Sequence, residues 1–154
     1  MLHSQEVANV KYVPGQKWKY ETRPEEPDST LTILRVETFP EWGTIVFIAV
    51  HDIRVLDKRA DTGVRTDVGF TELTEEALER SVTELVAAGA APEDQSFYDG
   101  WRRNFDAGFG GAYRETVREI IQGLQRLCDH ANARADAQGS VEAVTRIALG
   151  CATW

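Results

Sequence analysis

The chain has 154 residues, a formal net charge of −8 and a hydrophobic fraction of 42%. This length suits one domain with a core that needs neither disulfides nor metal, and the acidity argues against the basic patches that bind nucleic acid or anionic lipid. No apolar run approaches the ~20 residues of a membrane helix, and the first residues lack the basic and apolar regions of a signal peptide. We therefore expect a cytoplasmic protein with a single domain over residues 1–154, residues 1–12 and 137–154 being peripheral.

The first half of the chain carries strand patterns. Residues 17–22 alternate apolar and polar side chains, as a half-buried strand does. Residues 30–39 contain a change of phase that indicates either a bulge or a strand covered on both sides. Residues 44–50 are apolar at nearly every position, as expected of a central strand. Residues 57–67 are polar and are predicted as a loop. Short connections favour an antiparallel β-meander of about three to four strands.

The second half carries helix patterns. Thr74 can cap the first helix, Gly108 ends the second, and Thr116 with Glu119 has the spacing of a capping box for the third. A break at residues 136–140 precedes a last short helix. Strands followed by helices predict an α+β fold with three to four helices packed on one face of the sheet. The inner residues of the first two helices are predicted as Leu78, Val82, Leu85 and Val86 in one, and Phe97, Trp101 and Phe105 in the other.

Known motifs for metal, phosphate or dinucleotide binding are missing. The stretch GFGGAY at residues 108–113 precedes a helix, but no Lys-Ser/Thr pair follows, and Glu115 and Glu119 would repel a phosphate group. Neither H-E-x-x-H nor C-x-x-C occurs, so we predict no metal site and no cofactor. Cys128 and Cys151 fit two reduced thiols of a cytoplasmic protein.

One alternative is a small hydrolase or ligand-binding enzyme with a pocket between the sheet and the helices. His51 and Asp52 follow the apolar strand and could serve acid–base chemistry, and Arg54 and Tyr113 would complete the pocket. Neighbouring strand residues point to opposite faces, however, and no activated Ser or Cys accompanies the pair. We therefore predict no catalytic residue and favour a protein that is not an enzyme.

The connector at residues 23–28 is a first candidate for contact with a partner. Pro24 and Pro27 stiffen it, and Arg23, Glu25 and Glu26 give it charge. These residues could form a pre-shaped contact loop or only a solvated hairpin connection in which Arg23 pairs with an acid.

A turn and a helix supply the remaining candidates. Trp42 lies in the turn before the apolar strand, where it could anchor a partner or fold back over the sheet edge. Glu75, Glu76 and Glu79 occupy the outer face of the first helix, and they belong to a set of eight acids over the first two predicted helices that faces a single Arg80. The eight acids are Glu72, Glu75, Glu76, Glu79, Glu84, Glu93, Asp94 and Asp99. They form either a patch for a basic partner or the solvated side of an amphipathic helix.

Three blocks of the chain carry a resemblance. They are VPGQKWKYETRPEEPDSTLTI, DVGFTELTEEALERSVTELV and YDGWRRNFDAGFGGAYRETV, and they resemble successive blocks of a family of small uncharacterised bacterial proteins. The resemblance covers roughly residues 13–127, and the tail from Asp129 departs from it. It implies a bacterial cytoplasmic protein and brings no activity or catalytic residue with it.

Small size, negative charge and the missing catalytic set together favour a binding protein. Our leading hypothesis is an immunity-type inhibitor that covers a toxic enzyme, or a protein that binds another basic partner. A homodimer built on an exposed sheet edge is a further hypothesis.

Overall fold

The computed structural model describes residues 11–149, with side chains from residue 11 to residue 136. Five antiparallel strands form one sheet in the order β4–β3–β2–β1–β5. The α+β class is confirmed, with more strands than predicted. The strands are β1 (Lys17–Tyr20), β2 (Thr30–Phe39), β3 (Gly43–Leu56), β4 (Val64–Thr74) and β5 (Val82–Ala87), and the described helices are α1 (Glu75–Glu79), α2 (Ser96–Asp106) and α3 (Val117–Leu149).

Strand β3 is buried on both faces and separates two apolar cores. Its side chains alternate, so that Val46 and Ile48 enter one core and Ile45 and Phe47 enter the other. Helices α1 and α3 cover the first core, and Trp101 of α2 closes the second. The prediction that all helices pack on one face is therefore wrong. The apolar run at residues 45–50 of β3 needs cover on both faces, because leaving either face in water would lose the free energy gained by burying its side chains.

Strand β2 carries the bulge that its phase change predicts. The register with β3 shifts between Ile33 and Arg35, which makes Leu34 the extra residue. Leu34 enters the core under α2, whereas Val36 packs on the core under α3. Beyond the bulge, Arg35 and Glu37 lie on the face that α2 covers, because their β3 partners lie in that core.

The segment after α1 is a strand, where the sequence predicts that the helix continues. Helix α1 spans only Glu75–Glu79, with the predicted cap at Thr74, and Val82–Ala87 pairs with β1 as an edge strand. Leu85 and Val86, predicted on an inner helix face, are 45% and 44% exposed. The helical spacing is genuine, but β1 offers an open edge of backbone groups, and the Val- and Thr-rich segment suits a strand.

Strand β4 begins inside the stretch predicted as a loop. Val64–Thr74 pairs with β3 along its whole length, with register shifts near Val50 and His51. Charged side chains on its exposed half disguise the strand pattern, because β4 is a sheet edge and edge strands tolerate them.

Helix α3 begins at the predicted capping box. The Thr116 N–H donates to Glu119 Oε1 at 2.9 Å, and the Glu119 N–H donates to Thr116 Oγ1 at 3.3 Å. The predicted break at residues 136–140 is wrong, since the helix runs from Val117 to Leu149. One glycine in that stretch costs only about 1 kcal/mol, which is too little to end a helix by itself.

The predicted peripheral ends are described only in part. Residues 1–10 and 150–154, including Cys151, lie outside the described residues. The core reaches into the N-terminal segment, because Tyr12 is only 2% exposed. No helix within residues 11–149 has the length and apolar character that crossing a bilayer requires.

Candidate functional site

The structure divides the predicted site residues between opposite ends of the sheet. In the β2–β3 ladder, Thr30 pairs with His51 at one end and Phe39 with Gly43 at the other. One end therefore holds Arg23, Glu25, Glu26, His51, Asp52 and Arg54, and the other holds Trp42, Tyr113, Glu75 and Glu76.

The connector at residues 23–28 is held on β3 by a buried ion pair. Arg23 Nε and Nη2 donate to the two carboxylate oxygens of Glu26 at 2.6 and 2.8 Å, and these side chains are 3% and 1% exposed. The Arg54 backbone N–H donates to Glu26 at 2.8 Å, and Arg23 donates to the Arg54 carbonyl at 3.1 Å. Arg23 and Glu26 are thus engaged inside the protein, while Glu25 stays about half exposed.

The alternative pocket around His51 is not assembled. His51 Nε2 lies 2.8 Å from Thr32 Oγ1, and Asp52 and Arg54 are exposed beside it. Tyr113 lies at the opposite end of the sheet, paired with β4. Five clefts in the described part of the chain have linings that include none of His51, Asp52 and Arg54. This arrangement gives no support to acid–base chemistry at His51.

The other end of the sheet gathers a turn, a helix and a loop. The Tyr113 N–H donates to the Glu72 carbonyl at 3.0 Å, and the Thr74 N–H donates to the Tyr113 carbonyl at 2.9 Å. The glycine-rich loop is thereby fastened to the outer edge of β4. Trp42 packs on Gly111 so closely that a Cβ there would lie 2.3 Å from the indole ring.

Glu72 lies where two clefts meet at this end. Strand alternation places it on the face that α2 covers, because Glu72 pairs with Phe47 of β3. The clefts have volumes of about 600 and 310 Å³. The Trp101 indole N–H donates to the Gly111 carbonyl at 3.1 Å and joins their walls. The walls include Phe70, Phe97, Trp101 and Arg103 in the larger cleft, and Trp42, Gly111 and Tyr113 in the smaller one.

The Glu72 carboxylate has no ion pair with any other side chain in the described residues, and only its own backbone N–H assists it. Burial raises the pKa of Glu72 above its ordinary value, and that backbone hydrogen bond offsets the effect only in part. A partly buried charge without a partner is costly, and such groups are found more often at functional sites than elsewhere.

A second carboxylate on the same face, Glu37, is fully paired. It accepts hydrogen bonds from the Tyr98 hydroxyl at 2.6 Å and from Arg102 at 2.9 Å. Arg35 pairs with it at 3.1 Å and lies 3.7 Å from the centre of the Tyr98 ring. Burial would raise the pKa of Glu37, but these hydrogen bonds and charges outweigh it and hold the pKa below its ordinary value.

Helix α1, which begins three residues after Glu72, adds exposed carboxylates at the same end of the sheet. Glu75 and Glu76 lie in its first turn, are exposed, and make no ion pair with the described residues. Glu79 differs, because Lys11 Nζ lies 2.6 Å from it and the Tyr12 hydroxyl donates to it. The hydrogen bonds from Lys11 and Tyr12 hold the pKa of Glu79 below its ordinary value. Of the three acids on this helix that the sequence predicts to contact a partner, Glu75 and Glu76 are open.

The sequence counts Glu72 only as one of eight acids on a predicted surface patch and does not place it beside aromatic residues. The signal that could have revealed it is the alternation within β4, where Phe70 and Glu72 share one face and Thr71 and Leu73 the other. The sequence predicts a loop at residues 57–67 and assigns no element to residues 68–73. Without a predicted strand there, the alternation could not be interpreted as two faces of a sheet. Phe97 and Trp101, predicted as core, prove to be core residues that also form a wall of the cleft.

Comparison of the chain with protein-family models, with curated proteins and with solved structures finds no match in any of the three. The resemblance to a family of small bacterial proteins stays a prediction. Among the described residues, no group of three or more His, Cys, Asp or Glu side chains is arranged to hold a metal ion. The chemistry that this end of the sheet offers is therefore that of carboxylates beside aromatic rings.

Proposed function

We propose that this chain is a small acidic binding protein that docks a basic protein on its acidic end face. We define that face as Trp42, Glu72, Glu75, Glu76 and Tyr113. The observation that carries the proposal is that its three carboxylates make no ion pair within the described residues, although aromatic side chains surround one of them. Unpaired charge next to aromatic anchors is the composition with which protein interfaces select a partner of opposite charge.

The charge of the whole chain supports the same partner. A net charge of −8 raises the association rate of a basic protein through long-range attraction. Two arginines at the border of the face are already engaged, since Arg114 lies 4.7 Å from the centre of the Trp42 ring and Arg80 donates to the Arg114 carbonyl. Their positions leave Glu72, Glu75 and Glu76 available to a partner.

A narrower form of the proposal is an immunity-type inhibitor. In that form the partner is a toxic enzyme of the same bacterial cytoplasm, and the acidic end face covers basic residues that the enzyme needs for its substrate. A gene for such an enzyme next to the gene for this chain would support the narrower form.

The experiment begins with the full-length chain as bait in an extract of the source cell, followed by calorimetry with the purified partner. We expect a basic protein, and we expect the double variant Glu75→Lys/Glu76→Lys to bind it at least about tenfold more weakly, because two attractive charges become repulsive. The loss should shrink as salt is added, since exposed charges are screened.

The matched control is Glu84→Lys/Glu93→Lys, which makes the same change in net charge at exposed positions outside the acidic end face. We expect its affinity to stay within about threefold of the original chain. If both double variants bound the partner as tightly as the original chain does, the acidic end face would not be the docking surface.

A further inference from the structure

Glu37 and Glu72 lie on the same face of the sheet, and only Glu37 is complete as a site for a guanidinium group. At Glu37 the carboxylate, the Tyr98 ring and the Arg35 guanidinium form one unit, with Arg35 both paired to the acid and stacked on the ring. This arrangement satisfies the guanidinium in two ways, through its in-plane N–H groups and through its face.

At Glu72 the carboxylate and the aromatic walls are present, and no guanidinium of the described side chains forms an ion pair with the acid. Phe70, two residues along β4 on the same face, is 38% exposed and lies 5.1 Å from Phe97, centre to centre. Tyr113, on the other side of Glu72, is 46% exposed. The aromatic surfaces on both sides of the carboxylate are therefore accessible from outside.

We propose that Glu72 and the aromatic residues around it form a subsite for the guanidinium group of an arginine side chain supplied by a partner. The subsite deepens the proposed function and rests on it for the origin of the arginine. The larger cleft, about 600 Å³, accommodates a side chain of that size, and the incoming cation would gain a charge-assisted hydrogen bond to Glu72. Cation–π contact with Phe70 or Tyr113 would favour a planar guanidinium over a strongly hydrated ammonium.

Arg103 is the internal competitor for this position. It lines the larger cleft from α2 and is exposed, but it makes no ion pair with Glu72 in the described structure. The subsite is open to an outside cation only if Arg103 stays away from Glu72 in solution. The test must therefore separate the two arginines.

The probe is N-acetyl-argininamide, titrated into the ¹⁵N-labelled full-length chain and followed by the amide shifts of Phe70, Glu72 and Gly111. We expect saturable shifts in the millimolar range, which is typical of one small charged group. N-acetyl-citrullinamide has nearly the same shape without the charge and should bind at least about fivefold more weakly. Glu72→Gln should weaken binding of the arginine probe by a similar factor, whereas Glu84→Gln should leave it unchanged.

Each remaining outcome decides the inference. Equal shifts with the arginine and citrulline probes, or binding that survives Glu72→Gln, would overturn it. Arg103→Gln should leave the affinity within about twofold, and a tenfold gain would show that Arg103 occupies the carboxylate and would also overturn it. The titration uses no protein partner, so it tests the subsite independently of the proposed function. If the arginine probe bound as expected but the protein partner bound equally well after Glu75 and Glu76 were replaced, only the proposed function would be contradicted.

Discussion

Glu26 and Glu72 lie at opposite ends of the sheet and differ in how the protein compensates the charge of a buried or partly buried carboxylate. Glu26 is 4% exposed, receives a bidentate pair from Arg23, and accepts the backbone N–H of Arg54. Glu72 is partly buried among aromatic rings and receives no side chain from the described residues. The Glu26 carboxylate stabilises the fold through its internal ion pair, whereas the Glu72 carboxylate is available to a cation from a partner.

Charged residues in a sequence are a weak guide to the position of a contact surface. Both glutamates lie in acidic stretches, and the connector with its two prolines looks the more distinctive. In the structure the charges of Arg23 and Glu26 neutralise each other inside the protein. Arg23 Nη1 is left without a hydrogen bond, but the buried carboxylate has its ion-pair partner. What marks Glu72 is the lack of such a partner, which only the tertiary structure reveals.

The largest expected effect comes from breaking the paired end. Arg23→Met leaves the Glu26 carboxylate buried without its ion-pair partner, so we expect the free energy of unfolding to fall by about 3–5 kcal/mol. Urea denaturation followed by far-UV circular dichroism would measure it.

Two variants show whether the pair is the cause. Glu25→Gln changes a half-exposed acid 3.8 Å from Arg23 and should alter stability by less than about 0.5 kcal/mol. Arg23→Met/Glu26→Leu removes both charges and should recover most of the loss. A double variant as unstable as Arg23→Met would mean that packing, not pairing, holds the connector.

An intermediate effect is expected at the wall of the unpaired end. Gly111→Ala places a methyl group 2.3 Å from the Trp42 ring, so the ring must move. We expect a loss of about 1–3 kcal/mol, as for overpacked sites. The backbone at Gly111 does not have a positive φ, so the cost would come from the ring alone.

Gly69 supplies the matched control on β4. A Cβ there meets no atom within 4 Å, and Gly69→Ala should leave stability unchanged or raise it by about 0.4–1 kcal/mol. If Gly111→Ala were as stable as Gly69→Ala, Trp42 would not be fixed on Gly111, and the smaller cleft would lack its wall.

The parts of the fold that the sequence predicts are those with one dominant local signal. The apolar run in β3 indicates a central strand, and the Thr116–Glu119 pair marks the start of α3. The phase change in β2 indicates its bulge. In each case neighbouring residues carry the information, so no distant contact is needed to interpret it.

The parts that the sequence does not predict depend on distant partners. The segment after α1 satisfies a helical spacing, and it becomes β5 because β1 presents a free edge. The division of the helices between two faces follows from where β3 is covered. Among the site residues, Trp42, Glu75, Glu76 and Tyr113 come to one end only because β4 pairs with β3 and then with the loop before α3.

The smallest expected effect tests the unpaired carboxylate itself. Burial raises the pKa of Glu72 in the folded chain above its value in the unfolded chain. Between those two pKa values the folded chain binds more protons than the unfolded chain does, so the contribution of Glu72 to stability falls as the pH rises. Glu72→Gln has no such titration. Its stability relative to the original chain should therefore increase from acid to neutral pH.

The most direct measurement is the difference in unfolding free energy between Glu72→Gln and the original chain, determined from about pH 4 to pH 7. We predict that this difference moves in favour of the variant as the pH rises. A difference that moved against the variant would mean that an internal cation, such as Arg103, stabilises the ionised carboxylate. Glu72 would then belong to the framework as Glu26 does, and the claim that it waits for an external partner would be contradicted.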